Sequence, residues 1–188
     1  MPVQFEPSTN LLKNALNPFF TFIFWAFTIT SLLTILFFLG LRQLLIETRP
    51  VHSLLATVAG VVSLVLFALS SLIYATTMPT LAAAYASGSD LDLQRSIVFQ
   101  ASAFDNLALG IISVASLFFA VSVFLWGRAM DKRFGKFSLF TLALGLYSLG
   151  TLLPFSAGSI LPWLSLLIVI GVWLVSLNFK MIMMTNTP

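Results

Sequence analysis

The spacing of its few charges decides what this chain can fold into. No Asp, Glu, Lys or Arg occurs in residues 14–41, 50–89, 106–127 or 137–179, runs of 28, 40, 22 and 43 residues. Charged residues make up 8% of the 188, against about a quarter in an ordinary soluble domain. Hydrophobic residues make up 59%, 19 of them Phe, so too little polar surface exists to solvate the folded chain. These features exclude a soluble globular domain, a disordered chain and a nucleic-acid reader. The absence of Cys excludes a disulfide scaffold, thiolate metal sites and cysteine nucleophiles. What remains is an all-α integral membrane protein, a single transmembrane domain over 1–188.

A helix crosses a hydrocarbon core of about 30 Å with about 20 apolar residues. The first and third uncharged runs each hold one span. The second is interrupted by Pro79 and by Ser87-Gly88-Ser89-Asp90, which leaves room for one crossing. The fourth is broken at Pro154-Phe155-Ser156-Ala157-Gly158-Ser159 and yields two short ones. The spacing therefore predicts a polytopic bundle of five spans, near 18–41, 52–75, 105–127, 137–153 and 161–179. Residues 76–104 are expected to form an outer helical hairpin. Leu11, Leu12, Ala15 and Leu16, at helical spacing beside Lys13, suggest a short interfacial helix before the first span. The first span is too long for a signal peptide and lacks a small-x-small cleavage site, so it is expected to stay as an anchor.

Local signals mark the helix ends. Asn17-Pro18 reads as an N-cap with proline at the first helical position, and Pro50 opens a helix in the same way. Ser89-Asp90-Leu91-Asp92 has the capping-box pattern, with Gly88 closing the helix before it. Orientation follows from the loops. With the N-terminus outside and the C-terminus inside, Arg42, Arg49, Arg128, Lys132, Arg133, Lys136 and Lys180 fall inside, against Lys13 and Arg95 outside. Seven against two is a positive-inside bias. Residues 52–64 and 137–149 agree at five of thirteen positions, as chance in a narrow membrane alphabet also produces.

Few residues carry chemistry. Asp105 is a carboxylate beside a span, which makes it and Asn106 candidates for an ion or ligand. The 22 residues from Asn106 to Gly127 measure about 33 Å, so Asp105 falls at the outer edge, where a solvated acid is the plainer reading. Asp92 and Arg95 are the other polar candidates, on the outer segment. His52 is the sole histidine, so a zinc site and a bis-histidine haem are both excluded by count. One axial ligand serves a five-coordinate haem or a chlorophyll, and His52 is the residue for it. No metal site and no cofactor is predicted. Met181, Met183 and Met184 lie in an apolar tail without His or Cys beside them. Trp126 and Trp163 are expected in the interfacial aromatic belts. The pairs Ala56/Gly60, Gly110/Ser113 and Ser116/Ala120 offer small faces for close helix packing. Trp25, Tyr147 and Trp173 are candidates for lining an apolar pocket.

Missing catalytic sets and abundant packing faces lead to a non-catalytic accessory or scaffold subunit of a membrane complex. Its expected partners are the lipid bilayer and other membrane subunits or copies of itself, with no nucleic acid. The expected location is a bacterial inner (plasma) membrane. The rivals are a small carrier for an apolar or weakly polar ligand held near Asp105 and Asn106, and an enzyme using Asp105, or Asp92 with Arg95.

Overall fold

A computed structural model describes residues 6–47, 49–88, 90–135 and 137–150, together with Val172, Trp173, Val175 and Ser176. Among these residues every regular element is helical: α1 (Glu6–Ala15), α2 (Pro18–Leu45), α3 (Pro50–Leu72), a π-helical turn (Ile73–Thr77), α4 (Met78–Ser87), α5 (Leu91–Phe134) and α6 (Phe137–Gly150). Three helical stretches among the described residues are long and apolar enough to cross a membrane: Pro18–Leu45, Pro50–Ser87 and Leu91–Met130. The fourth expected span is described only to Gly150, and most of the fifth lies outside the described residues.

The caps show why the helices start where they do. The Asn17 side chain accepts the Phe19 N–H at 2.9 Å, so α2 begins at Pro18, whose missing N–H costs nothing there. Pro50 opens α3, and α4 stops at Gly88, whose N–H returns to the Ala84 carbonyl. At α5 the capping group is Asp90, whose carboxylate accepts the Asp92 N–H at 3.1 Å. Inside the apolar helices the hydroxyls of Thr28, Thr34 and Thr57 donate to carbonyls four residues back. Apolar surroundings offer them nothing better.

Pro79 does not break its helix, contrary to the reading from sequence. In a regular α-helix its ring would press on the carbonyl four residues back and leave it without a donor. Here the preceding turn widens, and the Met78 N–H reaches five residues back to the Ile73 carbonyl. The helix passes through and continues to Ser87, 38 residues from Pro50. α5 runs unbroken through Asp105-Asn106. Its 44 continuous residues measure about 66 Å, roughly twice a hydrocarbon core. Residues 76–104 are thus the ends of two long helices joined at 88–90.

Contacts sort into two compact units, one of residues up to Leu36 with Leu64–Ala115, the other of Phe37–Ser63 with the chain from Ser116 on. In the first, α1 lies on α4, and Leu12, Ala15, Met78, Ala82, Ile97, Ala101 and Ala108 share one buried cluster. Leu16 is left exposed. In the second, Phe38, Phe119, Trp126, Met130 and Trp173 are fully buried. Trp126 is therefore a core residue and not the belt anchor expected of it. Its ring lies 6.1 Å from that of Phe38, and its indole N–H has no acceptor among the described residues. Trp173 donates to Thr141 Oγ1 at 3.0 Å. Trp25, by contrast, is exposed. Gly135, with φ at 56°, makes the left-handed turn from α5 into α6.

Candidate functional site

The acid nearest the middle of the chain's apolar helices has a partner that the sequence reading passed over. Tyr74, the second residue of the π turn, is buried, and its hydroxyl donates to Asp105 Oδ1 at 2.7 Å. Phe24 stacks on the Tyr74 ring at 4.7 Å and 24°, and Phe20 meets it edge-on at 6.5 Å. These contacts restrict the ring, and so the direction of its hydroxyl. About one turn along, the Ser70 hydroxyl donates to the Ala108 carbonyl at 3.2 Å. Two polar contacts therefore tie α3 and its π turn to α5 where both are otherwise apolar. π turns are often found at functional sites, and this one sets the phase of Tyr74 against α5.

Asp105 itself is half-buried. Its second carboxylate oxygen takes no hydrogen bond among the described residues. The arrangement leaves one oxygen fixed by a phenol and one able to accept a proton, a donor or a cation. Asn106 points away, exposed, with no partner among the described residues.

The other sequence candidates are not gathered here. Asp92 and Arg95 form an exposed ion pair at 3.4 Å in the first turn of α5. Ten residues of continuous helix, about 15 Å, separate Arg95 from Asp105. His52 lies half-buried in the first turn of α3, at the opposite end of that helix from the π turn. No cluster of three or more His, Asp or Glu able to hold a metal occurs among the described residues. Tyr147's side chain and the methionines of the tail lie outside the described residues.

Tyr74 was findable. In an antiparallel helical hairpin, residues equidistant from the connection face one another. Tyr74 and Asp105 each lie about fifteen residues from the 88–90 connection, as do Ser70 and Ala108 at about nineteen. That arithmetic requires a continuous helix through Pro79, which the sequence argues against.

No protein-family model, curated protein or solved structure matches this chain. Fold and composition define its class, a membrane protein that is helical through its described residues, with three helices among them long and apolar enough to span a bilayer.

Proposed function

We propose that this is a multi-pass protein of a bacterial inner membrane, a non-catalytic accessory or scaffold subunit that works by helix association. The supporting observation is one face of α5. Ala103, Asn106, Gly110 and Ser113 follow one another at helical spacing, and all are exposed. A side chain added at Gly110 would meet nothing within 4 Å. Between apolar helices, small residues allow close approach and a carboxamide supplies an interhelical hydrogen bond. Apolar surface alone drives no association in lipid, so this polar notch counts for more than the wide bare surface of α2. Ser116 and Ala120 are already buried within the chain, whereas Gly110 and Ser113 are exposed, with the Ser113 hydroxyl turned back onto the Leu109 carbonyl.

Mild solubilisation followed by native mass spectrometry tests the reading. The chain should run with other subunits or with itself, and Asn106→Leu with Gly110→Leu should release it. A wild-type chain that runs alone, or a double variant that holds its partners, refutes it. The same sample carries an optical test, in which a Soret or chlorophyll band would assign His52 as an axial ligand.

Five spans with the N-terminus outside and the C-terminus inside are part of this proposal. The bias of seven positive charges to two supports it. A chain without Cys is a ready background for single-cysteine labelling. Cysteines at Glu47 and Gly135 should react only with a permeant reagent, and one at Asp90 with an impermeant one. Labelling of Asp90 and Gly135 from the same side would refute the topology.

A second reading, a small carrier using Asp105, draws on the carboxylate oxygen beside Tyr74 that takes no hydrogen bond among the described residues. It is separated from the first by the Asp105 variants below.

A further inference from the structure

Two seams run along α5. On the inner one, Val98, Ala101, Asp105, Ala108 and Ile112 follow at alternating steps of three and four residues. α3 and its π turn meet this seam through the Ser70–Ala108 and Tyr74–Asp105 hydrogen bonds. On another side of the helix, Ser96, Phe99, Ala103, Asn106, Gly110 and Ser113 repeat the same alternation, and every one is exposed. Steps of three and four keep one side of a helix against a second helix over several turns. Phe99 shows separately that the outer seam lacks its cover. With the span ending at Asn106, Phe99 lies about 10 Å farther along the axis, clear of the hydrocarbon core. Lipid chains do not reach a ring there, yet it is 67% exposed. Covering it removes apolar surface from water.

The chemistry of the outer seam narrows what covers it. No charge lies on it from Ser96 to Ser113, so it does not repel its own copy. A carboxamide offers a donor and an acceptor together, so Asn106 is complementary to another Asn106. Gly110, where a Cβ would meet nothing within 4 Å, lets two backbones approach one turn farther along. The Ser113 hydroxyl is held by the Leu109 carbonyl and contributes only small volume. Copies inserted with one topology can meet about a two-fold axis along the membrane normal, with their α5 helices parallel. Each seam residue then faces its own counterpart, as a self-complementary interface requires. We propose that this seam binds a second copy of the chain in a parallel two-fold dimer. Asn106 of each copy donates to the other, and the Phe99 rings cover one another. The proposal rests on the association reading of α5 and names its partner.

Disulfide cross-linking in native membranes tests it, in a chain without Cys of its own. Phe99→Cys, Ala103→Cys, Asn106→Cys and Ser113→Cys should each join two copies on oxidation. Gln100→Cys and Phe104→Cys, exposed on the remaining side of α5, should not. In the chain without Cys, Asn106→Leu should weaken the dimer about tenfold on detergent dilution, the effect of two interhelical hydrogen bonds. Asn106→Gln should restore most of that loss. Should Asn106→Leu fail to insert, Ala103→Cys and Ser113→Cys, which change little in volume, carry the comparison. Equal cross-linking on and off the seam overturns the proposal, because chance collision would account for it. A native mass holding one copy of this chain beside a different subunit also overturns it, and leaves the association reading standing. A chain that cross-links nowhere and has the mass of one copy alone overturns both.

Discussion

Gly60→Val is expected to destabilise the protein by about 1–3 kcal/mol, the usual cost of overfilling a packed core. A Cβ at Gly60 would collide with the Phe38 ring and come within 2.7 Å of Ser122 Oγ. Neither neighbour has room to yield. Phe38 is fully buried, with the rings of Trp126 at 6.1 Å and Trp173 at 6.2 Å. Ser122 is held by donating to the Ala56 carbonyl at 2.6 Å, one turn before Gly60 on α3. Gly60 thus lets α3 approach α5 closely enough for a hydroxyl of one to bond the backbone of the other. Thermal unfolding in detergent should show the loss, and Phe38→Leu in the same chain should restore part of it by clearing the ring. If the single variant unfolds with the wild type, the contact of Phe38 on Gly60 is not as close as described. If Phe38→Leu makes matters worse, the strain comes from elsewhere.

The small faces around Gly60 and Ser116 were legible from sequence because close helix packing in lipid demands small residues at fixed spacing. The helix starts at Pro18 and Pro50 and the stop at Gly88 were legible for a similar reason, since each is settled by groups within a residue or two. What was hidden depends on distant parts of the chain or on a rare local geometry. Pro79 looks like a helix break because the rule assumes an α-helical turn before it, and a single wider turn removes the clash. Trp126 sits beside Gly127-Arg128 as a belt residue would, yet it turns inward, and nothing in its own neighbourhood reveals that Phe38 lies across from it. The cap described for α5 is Asp90, while Ser89, where the sequence pattern begins its capping box, lies outside the described residues. Ser53 and Ser138, which occupy equivalent places in the weak repeat, are both buried and both donate to a carbonyl three residues back. That shared role follows from starting a helix after a basic loop and does not require duplication.

The Tyr74–Asp105 contact carries the other large effect. Tyr74→Phe keeps the ring on Phe24 and removes only the donor, leaving a half-buried carboxylate without it. The expected cost is about 1–3 kcal/mol, as for stripping a partner from a buried polar group. Asp105→Asn should cost less, because a carboxamide oxygen still accepts from the phenol. Asp105→Leu should approach Tyr74→Phe, since it leaves the hydroxyl unanswered. In a double-mutant cycle between Tyr74→Phe and Asp105→Leu the coupling should fall in the range of interhelical hydrogen bonds in membranes, about 0.6 to 1.7 kcal/mol. A coupling near zero would mean that water or lipid serves either group as well as the other does. The conservative variant then divides the two functional readings. A structural clasp tolerates Asp105→Asn, and partner retention should survive it unchanged. A carrier that needs a carboxylate to take up a proton or a cation fails with the same substitution, though its fold is intact. Wild-type stability with lost flux in proteoliposomes would therefore displace the scaffold reading in favour of the carrier. Unchanged partner binding with no flux in either protein would leave Asp105 as a group that holds α5 against the π turn.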